Sequence, residues 1–155
     1  MSGLKLTLIT LVFSGLVVGL SVNAHAYSEE IGLSIDKVSP AVKAVAQAYS
    51  GIAKSKDEGR WIETKWKEDY VVRKSKILKN IISAKYKRRH KLRIKLTPNL
   101  SFTKIEISGF YQQKKPDVAP SIPWQTIKPK LDDLDLEREL FFKILKQLEA
   151  DQKKL

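Results

Sequence analysis

The chain contains no cysteine. That excludes disulfides, thiolate metal sites, a cysteine nucleophile and a lipidated cysteine. Histidine is nearly as scarce, at two residues, and one of them, His25, lies beside a candidate cleavage site. A multi-histidine metal centre therefore has no ligands to draw on, and neither a metal nor a cofactor is expected. Seven glycines and six prolines in 155 residues leave no room for collagen-like or low-complexity classes. Acids are the minority charge: 17 Asp+Glu stand against 29 Lys+Arg, a net charge of +12. What remains is 43% hydrophobic, enough for a core, at a length that suits one domain.

The first segment reads as an address. Lys5 supplies a positive start, and Leu8 to Leu20 is apolar apart from Thr10, Ser14, Gly15 and Gly19. Ala24-His25-Ala26 then places small residues at the two positions a signal peptidase inspects. Residues 1–26 are expected to be a secretory signal peptide; the alternative is an uncleaved N-terminal anchor, since Leu6–Val22 approaches the roughly 18 residues needed to span a bilayer. A leader without cysteines downstream suggests a periplasmic or secreted bacterial protein that needs no disulfides.

Residues 27–37 read as a lead-in, and residues 38–155 as a single domain. Ser39 and Pro40 suit the cap and first position of a helix, with Val42, Val45, Tyr49 and Ile52 along one face and Gly59 as a stop. Arg60 to Trp66 reads as a strand, and by its period of two Trp61 and Trp66 fall on opposite faces. Residues 67–85 are ambiguous, because Ile77, Leu78, Ile81 and Ile82 fit a short helix and the flanking charges fit a connection. The clearest strand is Tyr86 to Thr97, where Leu92, Ile94 and Leu96 alternate with Lys91, Arg93 and Lys95 and His90 falls on the apolar side. Pro98-Asn99 reads as a turn into a second strand, Phe102 to Gln113, which makes a hairpin.

Four prolines between Lys114 and Pro129 exclude regular structure there, with Trp124 pinning the loop to the body. Asp133 to Lys153 reads as an amphipathic helix with Leu134, Phe141, Ile144, Leu145 and Leu148 on its stripe. The expected fold class is α+β: a small antiparallel sheet packed on a long C-terminal helix and an N-terminal helix. The expected core is Leu92, Ile94, Leu96, Ile105, Ile107, Phe141, Ile144, Leu145 and Leu148.

The charge is concentrated. Residues 60–115 carry 17 Lys/Arg and four acids, whereas residues 128–155 carry seven of each. Lys87, Arg89, Lys91, Arg93 and Lys95 project from one strand face as a basic stripe. A wet sheet face explains polar residues there. It does not explain why their charges share one sign. The stripe is the candidate anion- or partner-binding site, for a lipid headgroup, a lipopolysaccharide phosphate or an acidic protein. Nucleic acid is not expected, because the stripe has few interleaved aromatics for base stacking and the leader directs the chain out of the cytoplasm. Trp61 and Trp124 are possible protein contacts. His90 has no sequence neighbour to act with and reads as a strand residue near the sheet rim. No phosphate loop, nucleophile elbow or zinc signature is present, so no catalytic residues are assigned and the protein is read as not an enzyme.

Trp61-Ile62-Glu63-Thr64-Lys65-Trp66, the basic strand Arg88 to Leu96, the strand around Ile105-Glu106-Ile107 and a closing C-terminal helix follow one another in an order that resembles the helix-grip domains of the BamC family. BamC is a lipoprotein of the outer-membrane β-barrel assembly machine. The resemblance spans roughly residues 40–150. It implies a sheet wrapped around one helix and, as an alternative function, an interaction subunit of an outer-membrane assembly complex. It departs from that family in lacking the lipidated cysteine and in having length for only one such domain.

Overall fold

The computed structural model describes residues 26–77, 80–115, 121–128 and 135–153. The expected leader lies outside these residues except for Ala26. In chain order the elements are β1 (Ala26–Ile31), α1 (Ile35–Tyr49), β2 (Ile52–Lys56), β3 (Trp61–Thr64), β4 (Lys67–Ile77), β5 (Asn80–Asn99), β6 (Phe102–Lys114), β7 (Gln125–Ile127) and α2 (Asp135–Gln152). A short 3-10 turn at Asp57–Gly59 joins β2 to β3. The class is α+β, with seven antiparallel strands in one sheet among the described residues.

The two long strands form where alternation is cleanest. β5 and β6 pair from Asn99–Phe102 to Lys87–Lys114 and make the spine of the sheet. β1 adds to β6 on one side, and β3 then β2 add to β5 on the other. β4 pairs with the first half of β5, and β7 with the end of β6. Leu92, Ile94, Leu96, Ile105 and Ile107 point to one face, where they meet Val38, Ala41, Val42 and Val45 of α1 and Leu140, Phe141, Ile144 and Leu148 of α2. Leu145 is only half-buried against that core. Burial of these side chains, at about 25 cal/mol per Å² of apolar surface, outweighs any exposed ion pair in holding the fold. No helix among the described residues is long and apolar enough to cross a membrane.

Several expectations are corrected. The N-terminal helix starts a turn before Ser39: Ser34 stands at its cap, and the Lys37 and Val38 amides bond to the Ser34 carbonyl. Pro40 is therefore the sixth residue of the helix, past the first turn, and it removes one rung of the backbone hydrogen-bond ladder. The helix ends at Tyr49, and Gly51, at φ +85°, turns the chain, not Gly59. The lead-in contains strand β1, hidden from a period-two reading because Glu29 stands at an inward register opposite Ile105. β2 is exposed along nearly its whole length and carries no alternation to read.

The ambiguous stretch is neither helix nor connection. It is β4 and the start of β5, paired up to Ile77–Asn80. Ile77, Ile81 and Ile82, clustered near the Ile77–Asn80 pair, mimic a helical spacing; Leu78, part of that reading, lies outside the described residues. The expected Pro98-Asn99 turn moves two residues on, to Leu100-Ser101, where the Asn99 side-chain oxygen accepts the Leu100 amide at 2.9 Å. The Pro-rich loop holds the short strand β7 after Pro123. The expected helix residues 133 and 134 lie outside the described residues.

Candidate functional site

Odd-numbered residues of β5 face away from the helices, because Leu92, Ile94 and Leu96 face toward them. Lys87, Arg89, Lys91, Arg93 and Lys95 thus share the outer face, as the alternation requires. The strands beside them bring aromatic rings between these cations. The Arg89 guanidinium carbon is 4.6 Å from the Trp66 ring centre and 4.5 Å from that of Trp124. Arg93 is 5.1 Å from Trp61 and 4.5 Å from Phe110. The Lys91 ammonium lies 5.1 Å from Trp66 and 5.7 Å from Phe110. Flat guanidinium groups stack on ring faces, and at partly exposed sites such as these each contact contributes about 0.5–1 kcal/mol.

Two readings are corrected here. Trp61 and Trp66 lie on the same outer side, not on opposite faces. β3 stops at Thr64, and the two residues before β4 break the period on which the opposite-face reading depended. The basic face is also interleaved with aromatics, which come from β3, the β3–β4 link, β6 and the Pro-rich loop. Trp124 pins that loop, with Arg89, Lys87 and Lys114 around its ring.

The stripe is partly neutralised from within. Glu63 of β3 stands in its middle, 5% exposed. It accepts Lys91 Nζ at 2.8 Å and Arg93 Nη2 at 3.1 Å. Burial raises the Glu63 pKa, but the hydrogen bonds and charges of Lys91 and Arg93 outweigh burial and hold it below the ordinary 4.5. Lys87 pairs with Glu68 at 2.7 Å, and Lys95 with Glu106 at 3.9 Å. Arg89 bonds through Nε to the neutral Gln112 side-chain oxygen at 2.8 Å, so its charge is left uncancelled by that contact. The stripe therefore divides: Lys91 and Arg93 serve the buried Glu63, Lys87 and Lys95 pair with the more exposed Glu68 and Glu106, and Arg89 is bonded to a neutral side chain.

A second cluster lies on the inner face, and the sequence reading missed it. His90 is 2% exposed, in the interior and not at the rim. Its Nε2 shares a 2.7 Å hydrogen bond with the Tyr49 hydroxyl of α1, and its Nδ1 has no hydrogen-bond partner, with Asp69 of β4 at 3.8 Å. Arg88 grips Asp69 with both Nε and Nη2, at 2.9 and 2.7 Å. Tyr111 donates its hydroxyl to the carboxylate of buried Glu137 on α2, 3.0 Å from each oxygen. Burial, then neighbouring carboxylates, pushes both phenols up, so they act as hydrogen-bond donors and not as phenolates. Apart from His90 Nδ1, these groups are hydrogen-bonded in pairs, and among the described residues no set of acids and histidines could hold a metal. A groove between α1 and α2, lined by Ala48, Tyr49, Lys143 and Lys146, opens above Tyr49.

The cluster makes stability depend on pH. Desolvation holds the His90 pKa below the ordinary 6.5; Asp69 opposes this, and Arg88 and Lys67 reinforce it. The unfolded chain takes up its proton near 6.5, which the folded chain refuses, so stability falls as pH drops below that value. The slope approaches about 1.4 kcal/mol per pH unit for one proton. Asp69 and Glu63, lowered from 3.8 and 4.5, add a second loss at more acid pH. Urea unfolding across this range is expected to show two phases for the wild type and only the acid one for His90→Gln. A wild type with flat stability down to the carboxylate range contradicts the buried neutral histidine.

No family model matches the chain. No curated protein matches it either. Solved structures similar to it include a DUF4468 family protein from Bacteroides ovatus, at 11% identity over 79% of this chain and 85% of that one, with a TM-score of 0.48. A TBP-like protein from Parabacteroides distasonis is 18% identical over 84% of this chain and 96% of that one, with a TM-score of 0.46. A conserved protein from Geobacillus kaustophilus is 12% identical over 83% and 94%, with a TM-score of 0.39.

Proposed function

We propose that this is a non-enzymatic protein of the bacterial envelope, exported by residues 1–26, which holds an anionic partner on the outer face of its sheet. The observation that carries this reading is the row Lys87, Arg89 and Lys95, with Arg89 stacked between Trp66 and Trp124. A guanidinium fixed between two rings loses little side-chain entropy when it binds. Its Gln112 partner orients it without neutralising it. The charge imbalance of residues 60–115 adds a field that attracts anions over a longer range.

The alternative is an interaction subunit of an outer-membrane assembly complex, docking through Trp61 and Trp124. It requires those rings to offer apolar faces. Lys56 and Arg93 lie over Trp61, and three cations surround Trp124, which favours an anionic partner.

Binding of polyphosphate by the mature chain tests the reading. Affinity is expected to fall steeply with added salt. Lys87→Gln with Arg89→Gln and Lys95→Gln is expected to weaken it by tenfold or more while the protein still unfolds cooperatively, at a midpoint somewhat lowered by the lost contacts to Trp66 and Trp124. Lys91 and Arg93 are left alone because Glu63 depends on them. Unchanged affinity in the triple variant, or no binding by the wild type, removes the electrostatic reading.

A further inference from the structure

The β4–β5 hairpin reaches past the rest of the sheet. β6 leaves β5 at the Lys87–Lys114 pair, whereas β4 continues from Tyr70–Lys87 to Ile77–Asn80. Over that length, about 20 Å at 3.3 Å per residue, no third strand joins the ribbon among the described residues. A two-stranded ribbon is marginal in water unless something covers it.

Its outer face continues the basic face. Tyr70 and Val72 stand there opposite Lys87 and Lys85 and are 61% and 60% exposed. The Lys85 ammonium lies 4.4 Å from the Tyr70 ring centre, and exposed Lys74 follows on the same row. Trp66, also exposed, stands at the foot of the ribbon. In sequence the hairpin adds Arg73, Lys76 and Lys79, and no acid occurs from 70 to 87. A soluble polyanion or an acidic protein surface needs only the cations. Exposed tyrosine, valine and tryptophan set among lysines match the boundary between anionic headgroups and acyl chains.

We infer that the free half of this hairpin is an interfacial arm that beds Tyr70 and Val72 into an anionic lipid surface. The inference rests on the anion-binding reading of the outer face and names a bilayer as the partner.

The absence of cysteine gives a direct probe. Val72→Cys provides a single thiol for an environment-sensitive fluorophore on the mature chain. Its emission is expected to shift blue with phosphatidylcholine vesicles containing phosphatidylglycerol, and not with phosphatidylcholine alone or with polyphosphate. Tyr70→Ser with Val72→Ser is expected to weaken vesicle binding about tenfold while leaving polyphosphate affinity as in the wild type. Vesicle binding by that variant at wild-type strength, or binding without a blue shift, overturns the arm and leaves the anion-binding reading standing. Failure to bind either vesicles or polyphosphate overturns both. A blue shift that grows with protein concentration in the absence of lipid assigns the arm to a second copy of the chain and overturns the lipid inference.

Discussion

Gly109→Ala is expected to cost about 3 kcal/mol of stability, the range for forcing atoms into a filled interior, and to lower the melting temperature by roughly 10 °C. Gly109 sits on β6 opposite Leu92, with the Glu137 carboxylate directly over it. An added Cβ would collide with Glu137 Oε1 and lie 2.5 Å from Tyr111 Cε2 and 2.7 Å from its hydroxyl. Neither neighbour can easily yield. Tyr111 and Glu137 are both buried and hydrogen-bonded to each other, so moving either would strip a buried carboxylate of a donor. Glu137 also lies in the first turn of α2, where the helix dipole favours a negative charge. Ser108→Ala, one residue earlier on the outer face, is the control and should stay within about 0.5 kcal/mol. Thermal unfolding of both variants checks this. If Gly109→Ala melts with the control, the carboxylate has another place to go and the tight inner cluster is wrong.

This glycine shows where a sequence reading ends. The outer stripe was legible because its residues lie on one strand, and one strand's alternation fixes its two faces. β6 and the core were legible for the same reason, and α2 through its apolar stripe. The inner cluster was not. Tyr49 meets His90 across 41 residues, Tyr111 meets Glu137 across 26, and Arg88 meets Asp69 across 19. Each residue alone looked like an ordinary polar member of a helix or strand. The Arg88–Asp69 pair depends on the placement of β4, in the stretch whose clustered isoleucines also fitted a helix, and the other two depend on how α1 and α2 lie across the sheet. Trp66 failed for a more local reason. Extending a period of two through Lys65 assumed a strand that the chain breaks there.

Replacing Lys91 and Arg93 together by methionine is expected to destabilise the fold by about 3–5 kcal/mol, the loss found when a buried charge is deprived of its partners. Glu63 is fixed by its register opposite Arg93 on β5 and is held by the two cations. Methionine keeps the stems of both side chains over the aromatic rings, so packing changes little and charge carries the difference. Adding Glu63→Gln to the double variant is expected to restore the part of the loss due to the stranded carboxylate, because an amide is far easier to leave buried, and to leave the part due to the lost cation–ring contacts. Urea titrations of the wild type, double and triple variants measure this at pH 7, with unchanged m-values as the check that compactness is preserved. A double variant as stable as the wild type would mean that Glu63 reaches solvent. The division of the stripe follows from that cycle. Lys91 and Arg93 secure the junction of β3 with β5, so a loss of binding on changing them reports unfolding as readily as lost contact. Lys87, Arg89 and Lys95 can change without stranding a buried acid, and it is through them that a partner is tested.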